Sequence, residues 1–279
     1  LLVFALLVLV LFPLKRRWLD AAGSGKDEVV LYIVDHLIEL TAIVIYSLVA
    51  ARVERRPFES FGLPWRQALR RPMWLGAGAG LMSLTALVLA LRVADVIRVE
   101  ASSSSLLRSA GFAVAYALIF LLLAVREEFL FRGYGLFTLT EATGFWPAAT
   151  VSSLWYVWGH WGNKGETTIG LVNIALFGML SCLILRRTGS LWVAVGFHAS
   201  WNWGETYLFG TADSGAAAAP GHLLATSLSH SAPAWLSGGP VGPEGSVLCS
   251  ALLVLVGVAC ARAFRSVRYP SAASQSSAA

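Results

Sequence analysis

Charge is what this chain has least of: Asp, Glu, Lys and Arg make up 13% of its 279 residues, against about 25% in ordinary soluble domains. That shortage excludes a water-soluble globule. Cysteine is scarce as well. Cys182, Cys249 and Cys260 lie in apolar stretches without C-x-x-C spacing, so they point to neither a disulfide framework nor a metal. No basic block is interleaved with aromatics, so the net charge of +5 is not the footprint of a nucleic-acid binder. The glycine-rich run Gly76–Gly80 lacks the strand, the lysine and the spacing of a phosphate-binding loop. There is no internal repeat and no segment that reads as a soluble domain. What remains is apolar: 57% of residues are hydrophobic, and the mean hydropathy is +0.67. The expected fold class is an all-α, polytopic transmembrane helix bundle, one membrane domain over residues 1–279 with about eight spans of roughly 20 residues.

The apolar runs predict helices at about 1–14, 29–51, 73–96, 108–132, 146–161, 168–186, 189–209 and 246–264. The chain opens at Leu1, and residues 1–14 read as a span, with the remains of a signal segment as the alternative. Glycine and proline inside these runs are tolerated in membrane helices when neighbouring groups satisfy the backbone. The small residues of Gly76–Gly80 would let another helix approach closely.

Basic residues orient the bundle. With eight spans, Arg52, Arg55, Arg56, Arg66, Arg70 and Arg71 fall on the same side as Arg186, Arg187, Arg262, Arg265 and Arg268. That side is expected to be cytoplasmic, with both termini inside and the protein in a bacterial inner membrane. Lys15, Arg16 and Arg17 would lie opposite. The segment Phe58–Pro64 reads as a membrane-surface linker with aromatic anchors. Residues 210–245, rich in Ala, Gly, Ser and Pro, read as a low-complexity loop outside the membrane, where His222 and His230 would be solvated.

Against this background a few polar residues stand out, because an ionisable group at membrane depth costs roughly 2.5–3.5 kcal/mol and usually marks function. Glu127, Glu128 and Arg132 end the apolar run 108–132. Glu128 and Arg132 are four apart and can pair, whereas Glu127 points about 100° away and lacks that partner. His160 follows Tyr156 by one turn, and His198 and Asn202 share a face on a later helix. Each has a bland reading: an interhelical ion pair, an interfacial aromatic belt, a hydrogen-bonded pair. One shared cavity explains three such helices better. There, a carboxylate and a histidine could deprotonate water, while a histidine and an asparagine amide could donate to a developing oxyanion. Glu127 and His160 sit late on helices that run in opposite directions. They can meet only if helix 108–132 continues through Gly133 to about Leu139. Asp35, His36 and Glu39 form a second polar set, read as interfacial, as an entry path or as a partner for Arg132. Asn173 reads as interhelical glue.

These three elements, Glu127-Glu128-x-x-x-Arg132, Tyr156-x-x-x-His160 and His198-x-x-x-Asn202, resemble the motifs of the CAAX-processing and bacteriocin-immunity (CPBP, Abi) family. That family includes the intramembrane glutamate endopeptidases related to the Ras-converting enzyme. The resemblance covers residues 108–209, the expected catalytic core helices. It implies that Glu127 is the base and His160 its partner in activating water. His198 and Asn202 would then form the oxyanion hole, with Glu128, Arg132 and Tyr156 in support. Tyr156 stands where the family usually has Phe, a change that keeps the ring.

The resemblance implies an intramembrane endopeptidase that cleaves near the C-terminus or membrane anchor of a membrane-embedded or membrane-anchored protein. A second reading is a non-catalytic membrane immunity or binding protein. A third adds a metal, since two Glu and two His are a plausible ligand set. The chain has no H-E-x-x-H, and the resemblance points to a mechanism without metal or other cofactor. No nucleic-acid partner is expected.

Overall fold

The computed structural model describes residues 28–102, 106–216, 220–229 and 232–270. The expected span 1–14, the Lys15–Arg17 cluster and His230 lie outside the described residues, as does the side chain of Asp35. The protein is an all-α membrane helix bundle. Its helices are α1 (Glu28–Val53), α2 (Arg71–Val93), α3 (Leu106–Arg132), α4 (Tyr134–Thr143), α5 (Phe145–His160), α6 (Thr168–Thr188), α7 (Leu191–Trp203) and α8 (Val247–Ala263). Four helical stretches among the described residues are long and apolar enough to cross a membrane: His36–Val53, Arg71–Val93, Ser109–Thr143 and Thr168–Thr188. Large apolar residues along the outer faces, such as Leu75, Met82, Leu89, Trp74 and Trp158, are exposed. In a bilayer they meet lipid and headgroups.

The tightest pairing joins α2 and α7, and sequence explains it. A Cβ placed on Gly76 would collide with the Val193 carbonyl, one on Gly80 with the Phe197 carbonyl, and one on Gly196 with the Met73 carbonyl. Gly78, between the first two, faces open space. The run of small residues therefore works at four-residue spacing, on one face only.

The helix carrying the glutamates does continue beyond Arg132, but with a break. Gly133 has φ −82° and ψ −124°, outside the helical region. Main-chain bonds still bridge it, from Gly133 N–H to the Phe129 carbonyl (2.9 Å) and from Phe137 N–H to the Gly133 carbonyl (3.1 Å). The apolar stretch Ser109–Thr143 is 35 residues long, so Glu127 stands near its middle instead of at its end.

Two expectations need correction. Phe58–Pro64 is not a surface linker. Phe61 and Leu63 are 0% and 1% exposed, and Phe61 packs edge-on against Tyr134 and Phe137 at centroid distances of 5.1 and 5.2 Å. Nor are the described residues of 210–245 an unpacked loop. Strand β1 (Ile97–Ala101) pairs antiparallel with β2 (Leu224–Leu228). Ser109 Oγ donates to the Gly221 carbonyl (2.9 Å), Tyr116 Oη to the Pro220 carbonyl (3.0 Å), and Thr226 Oγ1 to the Phe209 carbonyl (2.6 Å). Composition misled here because small residues leave the backbone bare, and side chains from the helices satisfy that backbone. Gly238 and Gly242, at φ +83° and +111°, make turns that few other residues could adopt.

Candidate active site

A cavity of about 570 Å³ opens among α3, α5, α6, α7 and the 210–245 connection. Glu127, Tyr156, His160, His198 and Asn202 all line it. The sequence-nominated groups on three separate helices thus face one space.

The charged network behind the cavity wall is specific. Glu128 and Arg132 are both fully buried, with Nη1 of Arg132 3.5 Å from Oε1 of Glu128. The Arg132 guanidinium lies over the Tyr156 ring, 4.4 Å from its centroid, an arrangement a phenylalanine ring would also support. Ser152 Oγ donates to the Phe131 carbonyl (2.7 Å), pinning α5 to α3 at this level. On α6, Gly178 leaves room: a Cβ there would sit about 3.1 Å from Nη2 of Arg132 and 3.0 Å from Ser153 Oγ.

His198 joins the two glutamates. Its Nδ1 is 3.0 Å from Oε1 of Glu128, which also accepts from Ser181 Oγ (3.3 Å). Its Nε2 is 3.9 Å from Oε2 of Glu127. His160 is oriented by its own helix, Nδ1 lying 2.8 Å from the Tyr156 carbonyl. A carbonyl can only accept, so Nδ1 carries a proton, and in the neutral ring the lone pair lies on Nε2.

Glu127 differs from its sequence reading in one respect: it has a cationic partner. Arg126 Nη2 donates to Oε1 of Glu127 at 2.5 Å, and Arg126 Nη1 pairs with Glu39 of α1. Glu39 is therefore a partner for Arg126 and not for Arg132. His36 of α1 is buried within the bundle. Arg126 escaped the sequence reading although it adjoins the motif, because helical spacing gives adjacent residues divergent directions. A long guanidinium side chain spans that divergence.

Asn173 acts as interhelical glue: Nδ2 donates to the carbonyls of Glu244 (2.7 Å) and Ser246 (2.9 Å), and Oδ1 accepts from Ser250. His222 is half-buried beside Gly210 instead of solvated.

A group absent from the sequence reading lies on the loop side of the cavity. Carboxylate oxygens of Glu205, Asp213 and Glu244 come within 4.8 Å of one another. Among the described residues this is the ligand-type cluster, rather than the Glu127, Glu128 and histidine set. Burial pushes the carboxyls of Asp213 and Glu244 above the ordinary carboxylate range, and Glu244 adds to the rise at Asp213. Glu166, also on the wall, is raised by burial and partly offset by the Thr167 N–H.

Residues 109–204 match the family model described as type II CAAX prenyl endopeptidase, Rce1-like. Over this region the chain is similar to that Rce1-like family. The match covers about a third of the chain and takes in every residue of the three motifs, from Glu127 to Asn202. Glu39, Asp213 and Glu244 fall outside it. No curated protein and no solved structure matches the chain. The family is one of CAAX endopeptidases, so a peptidase activity toward a membrane-associated protein is what the Rce1-like region implies.

Proposed function

We propose that this protein is an intramembrane glutamate endopeptidase that hydrolyses a peptide bond near the C-terminus or membrane anchor of its substrate. The observation that carries this reading is that Glu127, His160, His198 and Asn202, from three helices, line one cavity. In the proposed reaction, a water held between Glu127 and the free Nε2 of His160 loses a proton to this pair as its oxygen attacks the scissile carbonyl. The carbonyl oxygen becomes an oxyanion that accepts from Asn202 Nδ2 and His198. Collapse breaks the C–N bond, and the abstracted proton passes to the leaving amine. Peptide and water become an acid and an amine, with no covalent enzyme intermediate.

The supporting residues follow from charge. Arg126 neutralises Glu127 and fixes one of its oxygens. Glu128 holds His198, and Arg132 balances Glu128 in a place where an uncompensated carboxylate would be costly. A His198 ring that donates from Nδ1 to Glu128 and from Nε2 to the oxyanion carries a positive charge, which strengthens the second bond.

Replacing Glu127 by Gln keeps size and removes the base. Processing is expected to fall by about 10²–10⁴-fold, while the folded protein stays abundant. Comparative proteomics of membrane and secreted proteins from cells with active or Glu127→Gln enzyme should reveal one shifted C-terminus. A variant with undiminished processing defeats the protease reading and favours the binding-protein alternative. We also infer that Arg186, Arg187 and the tail arginines face the cytoplasm. A reporter that is active only outside the cytoplasm, fused after Arg268, should then stay silent, and an active fusion would reverse the orientation.

A further inference from the structure

We propose that Glu205, Asp213 and Glu244 form a Ca²⁺ site that clamps the 210–245 connection over the cavity. Three carboxylates lie together here, and no Lys or Arg among the described residues pairs with any of them. Glu205 is 0% exposed, and neither of its oxygens has a hydrogen-bond partner. The Trp201 indole, one turn earlier, approaches it without hydrogen-bonding geometry. A buried, bare carboxylate is among the costliest arrangements a protein can keep.

A proton on Glu205 could be shared with a neighbouring carboxyl, since oxygens of the three acids lie within 4.8 Å of one another, but it would engage the acids only a pair at a time. A cation at the centre would satisfy all three together. Asp213 and Glu244 already have supports that aim them. Thr206 Oγ1 donates to Oδ2 of Asp213 (3.2 Å), and Ser214 Oγ donates to Oε1 of Glu244 (2.7 Å).

The donors select the ion. All-oxygen, anionic ligands suit hard divalent cations. The ligand atoms lie within 4.8 Å of one another, close enough for one ion to reach all three. Ca²⁺, which takes about 6–8 oxygens in flexible geometry, suits such a carboxylate set better than Mg²⁺, which demands near-ideal octahedral geometry and keeps several waters. The three residues come from separate places. Glu205 lies in the π-helical turn Gly204–Phe209 that extends α7, Asp213 in the turn that follows, and Glu244 just before α8. A bound ion would therefore tie the end of α7 to both sides of the connection.

The test uses the full chain, purified in a detergent free of anionic lipid, stripped with a chelator and titrated with CaCl₂ by calorimetry. One Ca²⁺ per chain is expected. At about 100-fold excess over Kd, the melting temperature should rise by roughly 5–10 °C. Asp213→Asn and Glu205→Gln, each shown folded by circular dichroism, should lose the rise. Glu100→Gln, on the exposed edge of β1, should keep it. No binding by the wild-type chain overturns the proposal, as does an undiminished rise in both site variants. An equal response to MgCl₂ overturns the choice of Ca²⁺.

Discussion

At the scale of single residues, the interest lies in how two adjacent glutamates come to differ. Glu128 is enclosed by Arg132, His198 and Ser181 and is not among the residues that line the cavity, whereas Glu127 lines it together with its partner Arg126. Arg126 is in turn shared with Glu39, so a helix outside the Rce1-like region helps to fix the proposed base. Glu39→Gln keeps a hydrogen-bond acceptor and removes a charge. Charge-assisted bonds contribute about 1.5–3 kcal/mol, so turnover should fall by roughly 10-fold or more with KM little changed. Steady-state kinetics on a cleaved substrate would show it, and unchanged turnover would reduce Glu39 to a packing role. Spacing made the Glu128–Arg132 pair legible in the sequence, since four-residue separation is a local property. The Glu39–Arg126–Glu127 chain was not, because it links residues 87 positions apart, and nothing local in either helix specifies the other.

At the scale of elements, the seam between α2 and α7 sets the position of His198 and Asn202. Gly196 lies two residues before His198, with the Met73 carbonyl where its Cβ would be. Gly196→Val would force the helices apart. Overpacking costs about 1–3 kcal/mol even where a core can adjust, and here backbone meets backbone. The variant should melt lower in detergent and lose processing together with stability, while Gly78→Val, on the open face, should do neither. A Gly196→Val protein with normal melting would mean that the two backbones are less tightly joined. The small residues of 76–80 pointed to this close approach but not to its partner helix. The opposite directions of the helices that carry Glu127 and His160 required helix 108–132 to run on past Arg132, yet sequence reading could go no further. It gave no sign of the departure from helical angles at Gly133, because apolar character on both sides hides a break that main-chain bonds already bridge.

At the scale of the whole molecule, composition established a membrane bundle, and the motifs identified three of the helices that line the cavity. The connection 210–245 escaped. A segment of Gly, Ala, Ser and Pro carries almost no side-chain signal, yet Asp213, Ser214, Ala216, Pro220, Val241 and Glu244 form much of one cavity wall. Its order comes from partners distant in sequence: β1, Ser109, Tyr116 and Asn173 all bond to it or to the start of α8. For such a segment, fold is a property of what it touches.

Backbones joined at Gly76, Gly80 and Gly196 cannot slide past one another without a clash at every turn of helix. In a working cycle α2 and α7 would then behave as a stator. Whatever moves to admit a membrane protein then moves away from this seam. Spin labels across the α2–α7 seam should report one narrow distance with or without substrate. A seam that widened instead would place the door there. On the first outcome, the groups proposed to receive the oxyanion are the fixed frame, and the substrate is brought to them.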